Sequence, residues 1–204
     1  MKKIAFLAAL LAGAMFGAQA HAQSRVSGGY FGVGALQSYT DNATDFAALA
    51  IGFGGGADSN ATGMKVYGGY VWPQRFGIEV GYYDLGTYDV YTFGAKSDEF
   101  KTNAFTVSGT YTLPINPSLA ALFKLGVAFT DVDYRCFSSC GWPYINTSHS
   151  DIAGLFGVGV GWRVAQNFSL RADWEYFGGV THSVGGILAN YDYPTVSISG
   201  QFHF

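Results

Sequence analysis

In the stretch SLRADWEYF, Ser169–Phe177, the ions Arg171, Asp173 and Glu175 recur at every second residue, and Leu170, Ala172, Trp174 and Tyr176 fill the gaps. Charges of both signs along one edge of a strand pair with opposite charges where water is excluded. Other groupings could carry chemistry of their own. Cys136 and Cys140, in CFSSC, are spaced to close a short disulfide in an oxidising compartment. A metal reading adds His149 but finds too few ligands. Asp131 and Asp133, in DVD, lack the glycine and distal glutamate of a calcium loop. The Gly157–Gly161 alternation precedes no helical pattern, so a dinucleotide site does not follow. Ser148–His149 and His182–Ser183 set hydroxyls beside imidazoles, but no third group orients them as a hydrolase requires. The expectation is therefore a protein that is not an enzyme, with no cofactor and no metal.

The elements that position these residues are strands. Eight short runs alternate bulky apolar residues with small or ionic ones: Gly29–Ala35, Met64–Trp72, Arg75–Tyr83, Asn103–Thr112, Ala121–Thr130, Gly154–Val164, Ser169–Phe177 and Thr195–Phe204. Each has about the length of a tilted membrane strand. The connections after the second, fourth and sixth are tight: Pro73-Gln74, Leu113–Ser118 and Ala165–Asn167. Those after the first, third, fifth and seventh are long and polar, as in Gln37–Gly63 and Asp131–Asp151. Alternation of short and long connections is the pattern of an up-and-down transmembrane barrel, with periplasmic turns at one end and extracellular loops at the other.

Composition points the same way. Charged residues are 12% of the chain, aromatic residues 17%, and there are 29 glycines in 204 residues; a typical soluble domain carries about twice that charge. The chain opens with Lys2 and Lys3, a thirteen-residue apolar run from Ile4 to Phe16, and small residues at Ala18, Ala20 and Ala22. This is the order of a secretory signal peptide, and the run is too short to span a membrane as a helix. The predicted division is a signal peptide over 1–22, cut after Ala22 or alternatively after Ala20, and a barrel domain over 23–204. Without the leader nine basic residues face 14 acids, an acidic balance that argues against nucleic acid as a partner.

The faces follow from volume. Phe76, Ile78, Val80 and Tyr82 alternate with Gly77, Glu79 and Gly81; Phe123, Leu125, Val127 and Phe129 with Lys124, Gly126 and Ala128; Phe156, Val158, Val160 and Trp162 with Gly157, Gly159, Gly161 and Arg163. Eight strands enclose an interior just wide enough for side chains. The bulky rows, including Phe76, Tyr82, Phe129, Trp162, Trp174 and Tyr176, are assigned to lipid, and the glycines and ions to the lumen. The expected lumen ions are Glu79, Lys124, Arg163, Arg171, Asp173 and Glu175.

On these residues the chain resembles the eight-stranded OmpA-like barrels of bacterial outer membranes. GGYVWPQRFGIEVGYYDLG (Gly68–Gly86) is similar to that family's second hairpin, and RVAQNFSLRADWEYF (Arg163–Phe177) to its sixth turn and seventh strand. Val196, Ile198, Phe202 and Phe204 resemble the C-terminal signal read by the outer-membrane assembly machinery. Glu79 and Arg171 match the family's interior ions, whereas Ser108 and Gly161 stand where such barrels carry lysine and glutamate. The sequence ends on its last strand, so no peptidoglycan-binding domain is expected to follow.

The resemblance implies a monomer in a Gram-negative outer membrane, in contact with lipid and lipopolysaccharide. The leading function is structural, with envelope integrity and loop-mediated contact or adhesion to a host or cell-surface ligand. A narrow channel and a lipid-modifying enzyme are the alternatives. Eleven of the 14 acids fall in the long connections, an anionic surface suited to cationic partners or to divalent ions bridging to phosphates. Glu79 lies four residues beyond Arg75 and Arg171 four beyond Asn167, each about 13 Å up its strand. A cross-lumen Glu79–Arg171 pair is predicted, with a second pair, Lys124–Asp173, about two residues higher.

Overall fold

The computed structural model describes residues 27–40, 56–57, 59–92, 95–136, 146–184 and 187–204. Within them the chain forms eight long antiparallel strands: β1 (Gly28–Tyr39), β2 (Asn60–Val71), β3 (Phe76–Thr92), β4 (Ala95–Pro114), β5 (Leu119–Cys136), β6 (Asn146–Ala165), β7 (Phe168–Val184) and β8 (Ile187–His203). Each pairs with its neighbours in sequence, and β1 pairs with β8 from Tyr30↔His203 to Ser38↔Thr195. The sheet is closed and no edge faces lipid, as a bilayer with no water to satisfy backbone groups requires. A two-residue segment, Gly56–Ala57, adds to the outer end of β3 opposite Tyr91 and Val90. Residues 1–22 lie outside the described residues.

The short connections are built by local chemistry. Between β2 and β3, Arg75 N–H donates to Trp72 O at 2.9 Å, and Arg75 takes a left-handed φ of 74° to close the turn. Between β4 and β5, Asn116 Oδ1 accepts the amides of Ser118 and Leu119 at 2.9 and 2.8 Å, an Asx cap that suits Asn-Pro.

The strands are longer than the sequence pattern predicts. β4 and β6 run 20 residues and β3, β7 and β8 run 17, against about 9–11 for a membrane crossing. The excess lies at the long-connection end. Asp84, Asn103, Asp131 and Ser150 stand level on β3–β6 and mark where the outward apolar rows stop. Beyond that row the outward positions turn polar, as Lys101, Glu99 and Asp133 do, so the apolar alternation that marks a strand in the sequence is lost there although the ladder continues. Eight of the eleven acids assigned to loops, Asp84, Asp89, Asp98, Glu99, Asp131, Asp133, Asp151 and Asp192, therefore belong to strands.

Two bulges sit near this level. Gly86 on β3 and Gly179 on β7 have φ of 92° and 81°, where the register shifts between Asp84 and Gly86 and between Phe177 and Val180. Both positions favour glycine because a side chain is strained at such φ. Each amide is held by an aspartate at 3.0 Å: Gly86 N–H by Asp84 and Gly179 N–H by Asp192.

Candidate functional site

Alternation brings one inward residue from every second position of each strand to the barrel axis, and glycines on intervening strands decide which of them meet. Gly157 of β6 lies level with Lys124 of β5 on one side and Glu175 of β7 on the other. With no side chain between them, Lys124 Nζ reaches Glu175 Oε1 at 2.5 Å and also contacts Glu79 Oε1 at 2.5 Å. Across the lumen, Arg171 Nη1 contacts Glu79 Oε2 at 2.5 Å and Arg171 Nε contacts Asp173 Oδ1 at 2.8 Å. Lys65 of β2 completes the cluster, 2.6 Å from Asp173 and 3.0 Å from Glu175. Three cations and three carboxylates, all nearly inaccessible to solvent, thus form one neutral network in which every carboxylate touches two cations.

Tyrosines finish the coordination. Tyr30 donates to Glu79 and Tyr83 donates to Glu175, each at 2.8 Å. The Tyr67 ring lies 4.7 Å from the Arg171 guanidinium carbon and 5.3 Å from Lys65 Nζ, where its face attracts a cation. The lone pairs and protons of the ions are therefore met, without which a buried charge is costly.

The network departs from the sequence reading in one pair and two members, Lys65 being present and Arg163 lying outside it. Lys124 and Asp173 do not pair with each other: Lys124 is taken by the acids that the Gly157 gap brings to it, and Asp173 by Lys65 and Arg171. Lys65 is the missing member. Its signal was present, a lysine second in MKVYGGYVW and in phase with the inward Tyr67, and an ion within a membrane-spanning segment belongs to the lumen. Arg163 lies below the network, half-buried at the periplasmic mouth.

The interior is also less open than glycines and ions imply. Tyr83, Leu85, Leu155, Phe177 and Val180 are buried above the network, the Tyr83 and Phe177 rings 5.4 Å apart edge to face. Tyr88, Phe100 and Tyr193 join the same cluster, and Tyr88 donates to Ser38 Oγ at 2.6 Å. Bulky side chains fit inside because glycines leave them room: the Tyr83 ring lies where a side chain on Gly81 would stand, and Gly126 is level with Leu155. From periplasm to exterior the lumen holds an open cup, an ionic layer and an aromatic plug.

Outside, Phe76, Tyr82, Phe129 and Trp174 are exposed on the apolar belt, and Trp162 is half-exposed. Tyr176 also points outward, but its hydroxyl donates to Asp192 at 2.6 Å at the rim. Val196, Ile198, Phe202 and Phe204 all face outward on the last strand or its end, and the Phe204 amide donates to Gly29 O at 3.0 Å. Above the belt, Lys96 pairs with Asp89 at 2.8 Å and Glu99 at 2.6 Å. Its hydrogen bonds to those acids, Asp89 foremost, raise its pKa above the usual lysine value. Cys136 ends β5, and its side chain and Cys140 lie outside what is described. Ser148 and His149 stand exposed on the outer end of β6.

A closed eight-stranded barrel with an apolar belt outside and a buried ionic layer inside is an outer-membrane β-barrel. Residues 25–203 match the OmpA-like transmembrane domain, and the chain belongs to that family. Neisserial surface protein A has a similar structure, at 16% identity with a TM-score of 0.60, over 87% of this chain and 98% of that one. Ail, the attachment invasion locus protein of Yersinia pestis, is similar at 17% identity and TM-score 0.54, over 87% and 99%. OprG, an outer-membrane protein of Pseudomonas aeruginosa, is similar at 14% identity and 0.56, over 87% and 97%. No curated protein matches the sequence.

Proposed function

We propose that the protein is a structural barrel of the Gram-negative outer membrane whose exterior end makes surface contacts, with residues 1–22 as its export signal. The observation that carries this reading is the asymmetry of the strands. Above the belt β3–β6 continue as a four-stranded sheet, whereas β6 and β7 stay paired only as far as Gly154↔Gly178. Among the described residues β6 stays bonded to β5 out to Asn146, while its ladder with β7 runs only from Gly154 inward. An unpaired strand edge presents a row of donors and acceptors to an incoming extended segment. The acids flanking it, Asp131, Asp133 and Asp151, favour a basic segment.

Ail has been captured with the heparin analogue sucrose octasulfate. The acidic rim of this chain argues for the opposite charge preference here. Against the channel alternative stand the two filled layers of the lumen, and against the lipid-modifying alternative stands an outer belt made of apolar and small residues. Adherence of cells expressing the protein to surfaces coated with a basic peptide tests the reading. It is expected to exceed that of cells lacking the protein and to fall when Ser148 and Ser150 are both changed to lysine, which blunts the edge and offsets most of its negative charge. Equal adherence of all three strains at equal surface levels would overturn it.

A further inference from the structure

We propose that Asn60, at the exterior end of β2, is a modification site, the acceptor of an N-linked sugar. Asn60-Ala61-Thr62 is an Asn-x-Ser/Thr tripeptide, the pattern in which an asparagine amide is glycosylated in an exported chain. The sequence places a carboxylate, Asp58, two residues before the asparagine, and none of the chain's other Asn-x-Ser/Thr tripeptides is so preceded. A carboxylate offers a transferase a charged contact in addition to the threonine hydroxyl.

The strand presents the tripeptide where a sugar can be carried. Asn60 opens β2 opposite Tyr39 of β1. Period two turns Asn60 and Thr62 outward, both exposed, and Ala61 inward, where it is buried. Met64, level with Asp84, is the last apolar residue of the outward row on β2. Asn60 lies four residues beyond it, about 13 Å along the strand. A sugar on its amide therefore stands in water above the belt and meets neither lipid nor the packed lumen. The other tripeptides are placed differently. Asn116 is followed by Pro117, which bars the reaction, and its Oδ1 accepts the Ser118 and Leu119 amides. Asn167 lies at the periplasmic end, and the hydroxyl two residues on, that of Ser169, is buried 2.9 Å from His203 Nε2. Asn42 and the Asn146 side chain lie outside the described residues.

The transfer is a substitution at the anomeric carbon of a lipid-linked oligosaccharide. Asn60 Nδ2 bonds to C1 of the first sugar, and the bond from C1 to the phosphate oxygen breaks. The lipid diphosphate leaves with the bonding pair, and the amide gives up one proton to a base of the transferase. The reaction precedes the closing of the ladder to Tyr39, while the chain crosses the periplasm, so the inference rests on the export read above.

Protein is purified from the outer membrane of the cells that naturally make it and digested with trypsin. The peptide from Val26 to Lys65 is weighed and fragmented, which separates Asn60 from Asn42. A sugar mass on Asn60 is expected. It should vanish in Asn60→Gln and in Thr62→Ala, which keeps the acceptor, and return in Thr62→Ser, which restores the hydroxyl; all three changes fall on exposed positions. A bare Asn60 in membrane-derived protein, a sugar on Asn42 in its place, or an added mass that survives Asn60→Gln would overturn the site and leave the export reading standing. Absence of the chain from the outer membrane would overturn both.

Discussion

Removing one ion from the lumen should cost far more than removing a matched pair. In Glu79→Gln the network keeps three cations and two carboxylates, and Arg171 and Lys124, which contact Glu79 at 2.5 Å each, lose the charge they share. Gln retains an acceptor for the Tyr30 hydroxyl, so the loss is mainly of charge balance. Stranding a buried charge costs about 3–5 kcal/mol, and with Glu79 and Arg171 both nearly solvent-free no dilution by water applies. Glu79→Gln combined with Arg171→Gln returns the network to two cations and two carboxylates, with Lys65 and Lys124 still on Asp173 and Glu175. The double mutant should therefore be no less stable than either single one, a coupling of at least about 2 kcal/mol where contacting residues give roughly 0.5–3. Urea unfolding in lipid vesicles, read by tryptophan fluorescence, measures all four corners of the cycle. Additive costs within about 0.5 kcal/mol would refute the network as a unit.

Other consequences are as direct. Phe177→Ala should destabilise the barrel by about 3–5 kcal/mol through the cavity it leaves against Tyr83, and urea unfolding checks it. At the Arg75 turn, with φ of 74°, stability should run Gly above Arg above Val, with Val lower than Arg by about 1–2 kcal/mol; thermal midpoints in detergent give the order. Deleting Phe204 removes the outward ring that closes the last strand against β1, and fractionation should find the chain depleted from the outer membrane. A bridge between Cys136 and Cys140, expected from the sequence alone, predicts that protein taken from the envelope without reductant shows no titratable thiol after denaturation; two thiols would disprove it.

The strand count, the facing of each row and the Glu79–Arg171 contact were legible because each depends on period two and on depth measured from a turn. Phe76, Glu79 and Lys124 could each be assigned from their own strand alone. Lys124–Asp173 was not legible, since partner choice inside a barrel depends on register between strands, and a glycine such as Gly157 gives no sign in the sequence of what it lets meet. The aromatic plug was hidden for another reason. Tyr83 and Phe177 look like the aromatics beside them that face lipid, and only the parity of their positions distinguishes them. The outer strand extensions were hidden because water on the outside replaces the apolar row with residues such as Asp131 and Asp133, which look like a loop.

The central claim is that the lumen is filled and that the protein acts at its outer end. Conductance of the folded protein in a planar bilayer tests it most directly. With Lys65, Glu79, Lys124, Arg171, Asp173 and Glu175 closed into one layer and Phe177 and Tyr83 packed above it, the account predicts a silent membrane in molar salt. Steady unit current steps from wild-type protein would contradict it.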